Sequence, residues 1–90
     1  MAPRQAREPN TKTYAGRIAA RLRELRTEKR WTVSDICVRF SAIGVPVEEQ
    51  TWRSYERGKD GGGANLPPNL FPAVAKVFGY DTASGWLPKQ

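Results

Sequence analysis

The run EEQTWRSYERGK, residues 48–59, holds the side chains with the most distinctive chemistry in the chain. Glu49, Gln50, Thr51, Arg53 and Ser54 supply a carboxylate, an amide, a guanidinium and two hydroxyls, which together offer both hydrogen-bond donors and acceptors. Trp52 and Tyr55 stand three apart among them, a spacing that puts both rings on one helical face as anchors and leaves the polar strip pointing outward. Such a strip recognises by hydrogen bonding; it does not make or break bonds. The chain has no His, so the imidazole acid–base chemistry most common in enzymes is absent, and no base accompanies the single Cys37. No nucleophile and base pair stands out, and an enzyme is not expected. One cysteine and no histidine leave too few ligands for a zinc site and exclude an internal disulfide, so no metal or other cofactor is expected either.

A protruding polar helix needs a core behind it, and the apolar periodicity supplies one. Ninety residues form one small domain, with a thin core. Residues 1–13, MAPRQAREPNTKT, have two prolines and almost nothing to bury, and read as a disordered basic arm. Residues 14–90 read as the folded domain. Tyr14, Ile18, Leu22 and Leu25 mark one face of a first helix running to about Arg30, with Arg23, Arg26 and Arg30 on another face that reads first as a solvated charged surface and second as a set of phosphate contacts. Thr32 and Asp35 form a capping box for a second helix, whose Val33, Ile36, Cys37 and Phe40 turn inward, making Cys37 a buried structural thiol. Gly44 and Pro46 make the corner. The third helix spans about 47–57, with Glu48 and Glu49 at its positive end, Val47 stapled onto Trp52, and Gly58 as its stop. Residues 58–68, GKDGGGANLPP, read as a flexible loop. A fourth helix over about 69–78 buries Leu70, Phe71, Val74, Val77 and Phe78, with Pro72 confined to its first turn. Asp81 caps a last short turn carrying Trp86 and Leu87. The fold class is therefore all-α, a four- to five-helix bundle.

Charge is unevenly spread. The net charge is +6, and residues 1–30, with nine Lys or Arg against three Glu, already account for it. A basic balance of this kind favours a polyanionic partner. No apolar run of 18 residues and no signal-peptide pattern is present, so no membrane span and a cytoplasmic location are expected.

Two short helices meeting at a Gly-containing corner, the second showing a polar strip while aromatics hold its back, meet the requirements of a helix-turn-helix. Residues 14–87 resemble the helix-turn-helix family of phage-type repressors, the Cro/C1 or XRE type. The match is carried by IAARLRELRTEKRWT, by TWRSYERGK with its Glu56-Arg57-Gly58-Lys59 tetrad, and by AVAKVFGY. Two departures stand out. FSAIGVPVE, residues 40–48, is longer than the usual turn, in which it is similar to some actinobacterial regulators, and Val33 replaces a phosphate-contacting Gln.

The resemblance implies a sequence-specific transcriptional regulator, cytoplasmic in a bacterium or a phage-infected cell, that reads double-stranded DNA in the major groove with the 47–57 helix. It places base reading on Glu49, Gln50, Thr51, Arg53 and Ser54, phosphate contact on Thr32, Arg57 and Lys59, and minor-groove contact on Arg4, Arg7 and Lys12 of the arm. It also implies pairing on a two-fold site. Trp86 and Leu87, with Phe78 or Tyr80, are the apolar groups left for a weak homodimer formed on DNA; the alternative is that Trp86 closes the monomer's own core. A second functional reading is a protein-interaction module, antitoxin-like or an adaptor, that keeps the helix-turn-helix shape.

Overall fold

Thr13 opens the fold: in the computed structural model, which describes residues 11–89, its Oγ1 accepts a 3.0 Å hydrogen bond from the Gly16 backbone N–H and caps the first helix. The last residue of the expected arm is thus the N-cap of α1 (Tyr14–Glu28), as its side chain suits it to be. Four α-helices and three 3₁₀ turns make up the described chain, with no strand among the described residues. They are α1, α2 (Val33–Ala42), α3 (Glu49–Arg57) and α4 (Phe71–Phe78), with 3₁₀ turns at Lys59–Gly61, Pro68–Leu70 and Ala83–Gly85.

Helix ends follow local chemistry. The capping box at α2 is complete: Thr32 Oγ1 accepts from the Asp35 N–H at 3.1 Å, and the Asp35 carboxylate accepts from the Thr32 N–H at 2.8 Å. α1, α2 and α4 each end in paired backbone bonds of the Schellman type, for α1 Trp31 N–H to Arg26 O and Arg30 N–H to Thr27 O. The left-handed residue of that motif is Gly44 after α2 and Gly79 after α4, but Arg30 (φ 60°) after α1. α3 ends differently. Its Ser54 carbonyl accepts from both Gly58 and Ala64, so the loop expected to be flexible folds back onto the helix. Gly63 makes this return fit: a Cβ there would lie 2.2 Å from the Ser54 oxygen.

The core is formed by Ile18, Leu22 and Leu25 of α1, Ile36 and Phe40 of α2, Trp52 of α3, Leu66, Val74, Ala75 and Phe78 of α4 and its approach, and Trp86. Several expectations are corrected; of the apolar residues expected to be buried by the fourth helix, Val74 and Phe78 are, while Leu70, Phe71 and Val77 are half-buried against the edge of the core. Trp86 is fully buried, its Nε1 donating to Phe71 O at 3.0 Å and its ring edge-on to Phe71, so it closes the monomer core and has no surface to offer a second copy. Cys37 is half-buried, because an i, i+3, i+4, i+7 stripe spans more of a helix than this small core covers. Val33, at the edge of the same stripe, is half-buried too. Asp81 does not cap the last turn; Thr82 holds the N-cap position there, its hydroxyl paired with the Ser84 hydroxyl at 2.9 Å rather than with a backbone N–H of the turn. The C-terminal segment is instead tied to α1, by Tyr14 Oη donating to Pro88 O and Arg21 Nε to Trp86 O, both at 2.8 Å.

Candidate functional site

The back of α3 is held by more than rings. Trp52 is fully buried, 5.4 Å from Phe40 and edge-on to Tyr55 at 6.3 Å. One turn on, Glu56 is the one buried charged side chain among the described residues. Its Oε2 accepts from Trp52 Nε1 at 2.5 Å and from Arg26 Nε at 2.6 Å, while its Oε1 accepts from Arg26 Nη2 at 3.0 Å. Arg26 also donates from Nη1 to the Trp31 carbonyl, joining α1, the α1–α2 turn and α3 in one network. The hydrogen bond to Glu56 raises the guanidinium pKa against the opposing effect of burial. Two parallel bonds fix helix orientation as well as distance. α3 is thereby locked to α1, and Gly58, 3.2 Å from the Ala19 Cβ if it carried one, lets them approach.

The front of α3 is solvent-exposed at Glu49, Gln50 and Arg53, and half-exposed at Thr51 and Ser54. These five do not form one surface. Along one flank runs a cleft of about 330 Å³ lined by Arg23, Arg26, Val33, Arg53, Glu56 and Arg57. Along the other runs a cleft of about 440 Å³ lined by Glu48, Gln50, Thr51, Ser54, Tyr55, Arg57 and Ala64. Arg57 borders both. The first flank is cationic, four arginines against one glutamate; the second is mainly amide, hydroxyl and aromatic. Arg53 Nη2 donates to Glu49 Oε1 at 3.3 Å, an exposed i, i+4 pair of little energetic weight.

The other expected contact residues are spread around this helix. Lys59 is exposed just past its end, in the first 3₁₀ turn. Thr32 is exposed at the start of α2, but its hydroxyl oxygen already accepts from Asp35, whose carboxylate occupies the same helix end. An approaching phosphate there meets a negative charge as well as the Thr32 hydroxyl. Lys12 is exposed before α1; Arg4 and Arg7 lie outside the described residues. Leu87, half-buried, keeps some surface where Trp86 keeps none. Arg26 and Glu56 were missed as a site because their periodicities were read separately, Arg26 as part of a solvated face. One signal did exist: Glu56 follows Trp52 by four, which places it on the inward face.

No His, Cys, Asp or Glu groups gather in threes to hold a metal among the described residues, and no described helix is long and apolar enough to cross a membrane. Comparison with family models, curated proteins and solved structures finds no match for this chain.

Proposed function

We propose that the protein is a sequence-specific double-stranded DNA-binding regulator of the helix-turn-helix type, presenting the exposed face of α3 to the major groove. The observation that carries this is the two-sidedness of α3: a back fixed by Trp52 and by Glu56 on Arg26, and a front of solvent-facing hydrogen-bonding groups beside a cationic cleft. A groove reader needs both properties, since base edges discriminate only against side chains held in register. Glu49, Gln50, Thr51, Arg53 and Ser54 supply the base-reading groups, and Lys59 and Arg57 lie where phosphates flank a docked helix.

A protein-interaction module would favour a contiguous apolar patch, and among the described residues Val38, 66% exposed, is the one large apolar side chain that stands mostly in solvent. That observation favours DNA over a protein partner. A role on DNA would put the protein in the cytoplasm, at a bacterial nucleoid or in a phage-infected cell. Pairing on a two-fold site would use Leu87 and Tyr80, both half-buried, rather than Trp86.

Selection of bound duplexes from a random pool tests the proposal, since it reports specificity, half-site symmetry and spacing together. A recovered consensus, and affinity that falls steeply with salt, is the expected result. Recovery of unrelated sequences bound with equal affinity would remove sequence-specific reading.

A further inference from the structure

The cationic flank of α3 has a composition that base reading does not explain. Arg23 from α1 and Arg53 and Arg57 from α3 surround a floor made by the Arg26–Glu56 pair, with Val33 of α2 closing one side. The floor is internally balanced: both Glu56 oxygens accept from Arg26, and Arg23 Nε stands 3.9 Å from Oε1. The lining as a whole holds four arginines against one glutamate, with Glu49 paired to Arg53 at the rim. The rim arginines are fixed at their stems by rigid helices, yet their side chains remain 42% (Arg23) and 55% (Arg53) exposed. Planar guanidinium forks converging from two helices suit a tetrahedral oxyanion, which has several acceptor oxygens to share among them. The Arg53–Glu49 contact, a single long exposed bond, is easily exchanged for such a ligand.

We infer that this cleft seats one phosphate group, and that Arg53 therefore grips a phosphate rather than reads a base. The inference rests on the DNA-binding proposal if the phosphate belongs to a duplex backbone, and is independent of it if the phosphate belongs to a free phosphorylated compound. It removes Arg53 from the base-reading set and adds Arg23 to the phosphate contacts.

Two arms separate the sources. In the first, Arg23→Gln, Arg53→Gln and Arg53→Lys chains, each checked for an unchanged thermal midpoint, are titrated with selected and unrelated duplexes at several salt concentrations. A backbone phosphate in the cleft makes both Gln variants lose on the order of tenfold in affinity on all duplexes alike, the loss of one charge-assisted bond. The slope of log K against log salt becomes shallower by about 0.9 for the lost phosphate. Arg53→Lys loses less, keeping the charge without the fork. A changed base preference at unaltered slope, or no loss, overturns the inference while leaving DNA binding intact. If the chain binds no duplex, the second arm decides: inorganic pyrophosphate is added to the full chain at constant ionic strength while the arginine Nε–Hε signals are followed by NMR. Saturable shifts at Arg23, Arg53 and Arg57 but not at Arg17 or Arg39, abolished in Arg53→Gln, assign the cleft to a free phosphate compound although the DNA proposal has failed. Uniform shifts without saturation in such a chain overturn both.

Discussion

Trp52 and Trp86 are both fully buried and both use their indole N–H, yet they sit in different kinds of surroundings. Trp52 donates to the carboxylate of Glu56, which in turn is gripped by Arg26; Trp86 donates to the backbone carbonyl of Phe71 at the start of α4. The first joins α1 to α3 through charge, the second joins the C-terminal segment to α4 through ring packing and a neutral bond. Charge was placed where direction matters. A neutral ring contact tolerates small rotations, whereas a two-pronged carboxylate–guanidinium pair fixes α3 about its axis.

Removing the charge at its centre should give the largest effect. Glu56→Ala leaves Arg26 part-buried and unpaired and Trp52 without an acceptor, and is expected to cost about 3–5 kcal/mol in denaturant unfolding. Arg26→Ala should be comparably harmful, and the double variant should lose much less than the sum of the two. Additive losses would mean that the pair does not act as a unit.

Trp→Phe at the two tryptophans tests the difference between them directly, since it keeps an aromatic ring and deletes the N–H. At Trp52 the change deprives a buried carboxylate of a donor, with an expected loss of about 1.5–3 kcal/mol beyond packing; at Trp86 it deprives a neutral carbonyl, at about 0.5–1.5 kcal/mol. Equal losses by thermal unfolding would erase the distinction.

Much of the scaffold around these rings was legible because it is written in short-range codes. The capping box of Thr32 with Asp35, the stops at Gly44, Gly58 and Gly79, and the tolerance of Pro72 in the first turn of α4 are each decided within a few residues. What was not legible is what depends on distant partners. Arg26 and Glu56 are thirty residues apart, and nothing local says that a charge on the polar face of α1 will meet one on the inward face of α3. Trp86 was ambiguous because no periodic neighbour showed which way it points. The Ser54 carbonyl that draws the Gly-rich segment back onto α3 is a backbone group, invisible to any pattern of side chains. The same holds for the two flanks of α3: Arg53 and Gln50 look alike as outward residues, and only the placement of α1 gives them different neighbours.

Cys37 offers a finer probe of the charged region. Burial pushes its thiol pKa up, the charge of Glu49 adds to this, and Arg53 opposes it. Because the folded value is raised, the protonated thiol contributes stability below the unfolded pKa, and that contribution is lost as pH rises through the folded pKa. Iodoacetamide at about pH 8.5 should therefore modify the folded chain more slowly than the unfolded one. Arg53→Gln should slow it further, whereas Trp86→Phe should not; a faster reaction in Arg53→Gln would contradict the assigned electrostatics.

The smallest effect is expected at the edge of the core. Arg39 lies 3.9 Å over the Trp31 ring, which also stacks on Phe78 at 5.4 Å and has Lys29 Nζ 5.9 Å from its centroid. Arg39→Ala should cost about 0.5–1 kcal/mol, the range of an exposed cation–π contact, and should leave the Trp52 region unaffected in a double-variant cycle with Glu56→Ala.

The split between the back and front of α3 also bears on how such a chain changes over generations. Its stabilising work falls on Trp52 and Glu56, whereas Glu49, Gln50 and Arg53 face solvent, where a substitution usually shifts stability by no more than about 0.5 kcal/mol. Mutations at the front are therefore nearly invisible to selection for folding, and drift there need not be preceded by a stabilising change elsewhere. Preference for a partner can then diversify among descendants while the scaffold stays constant. A lineage would retain Arg26 and Glu56 together or lose them together, because each alone is a liability.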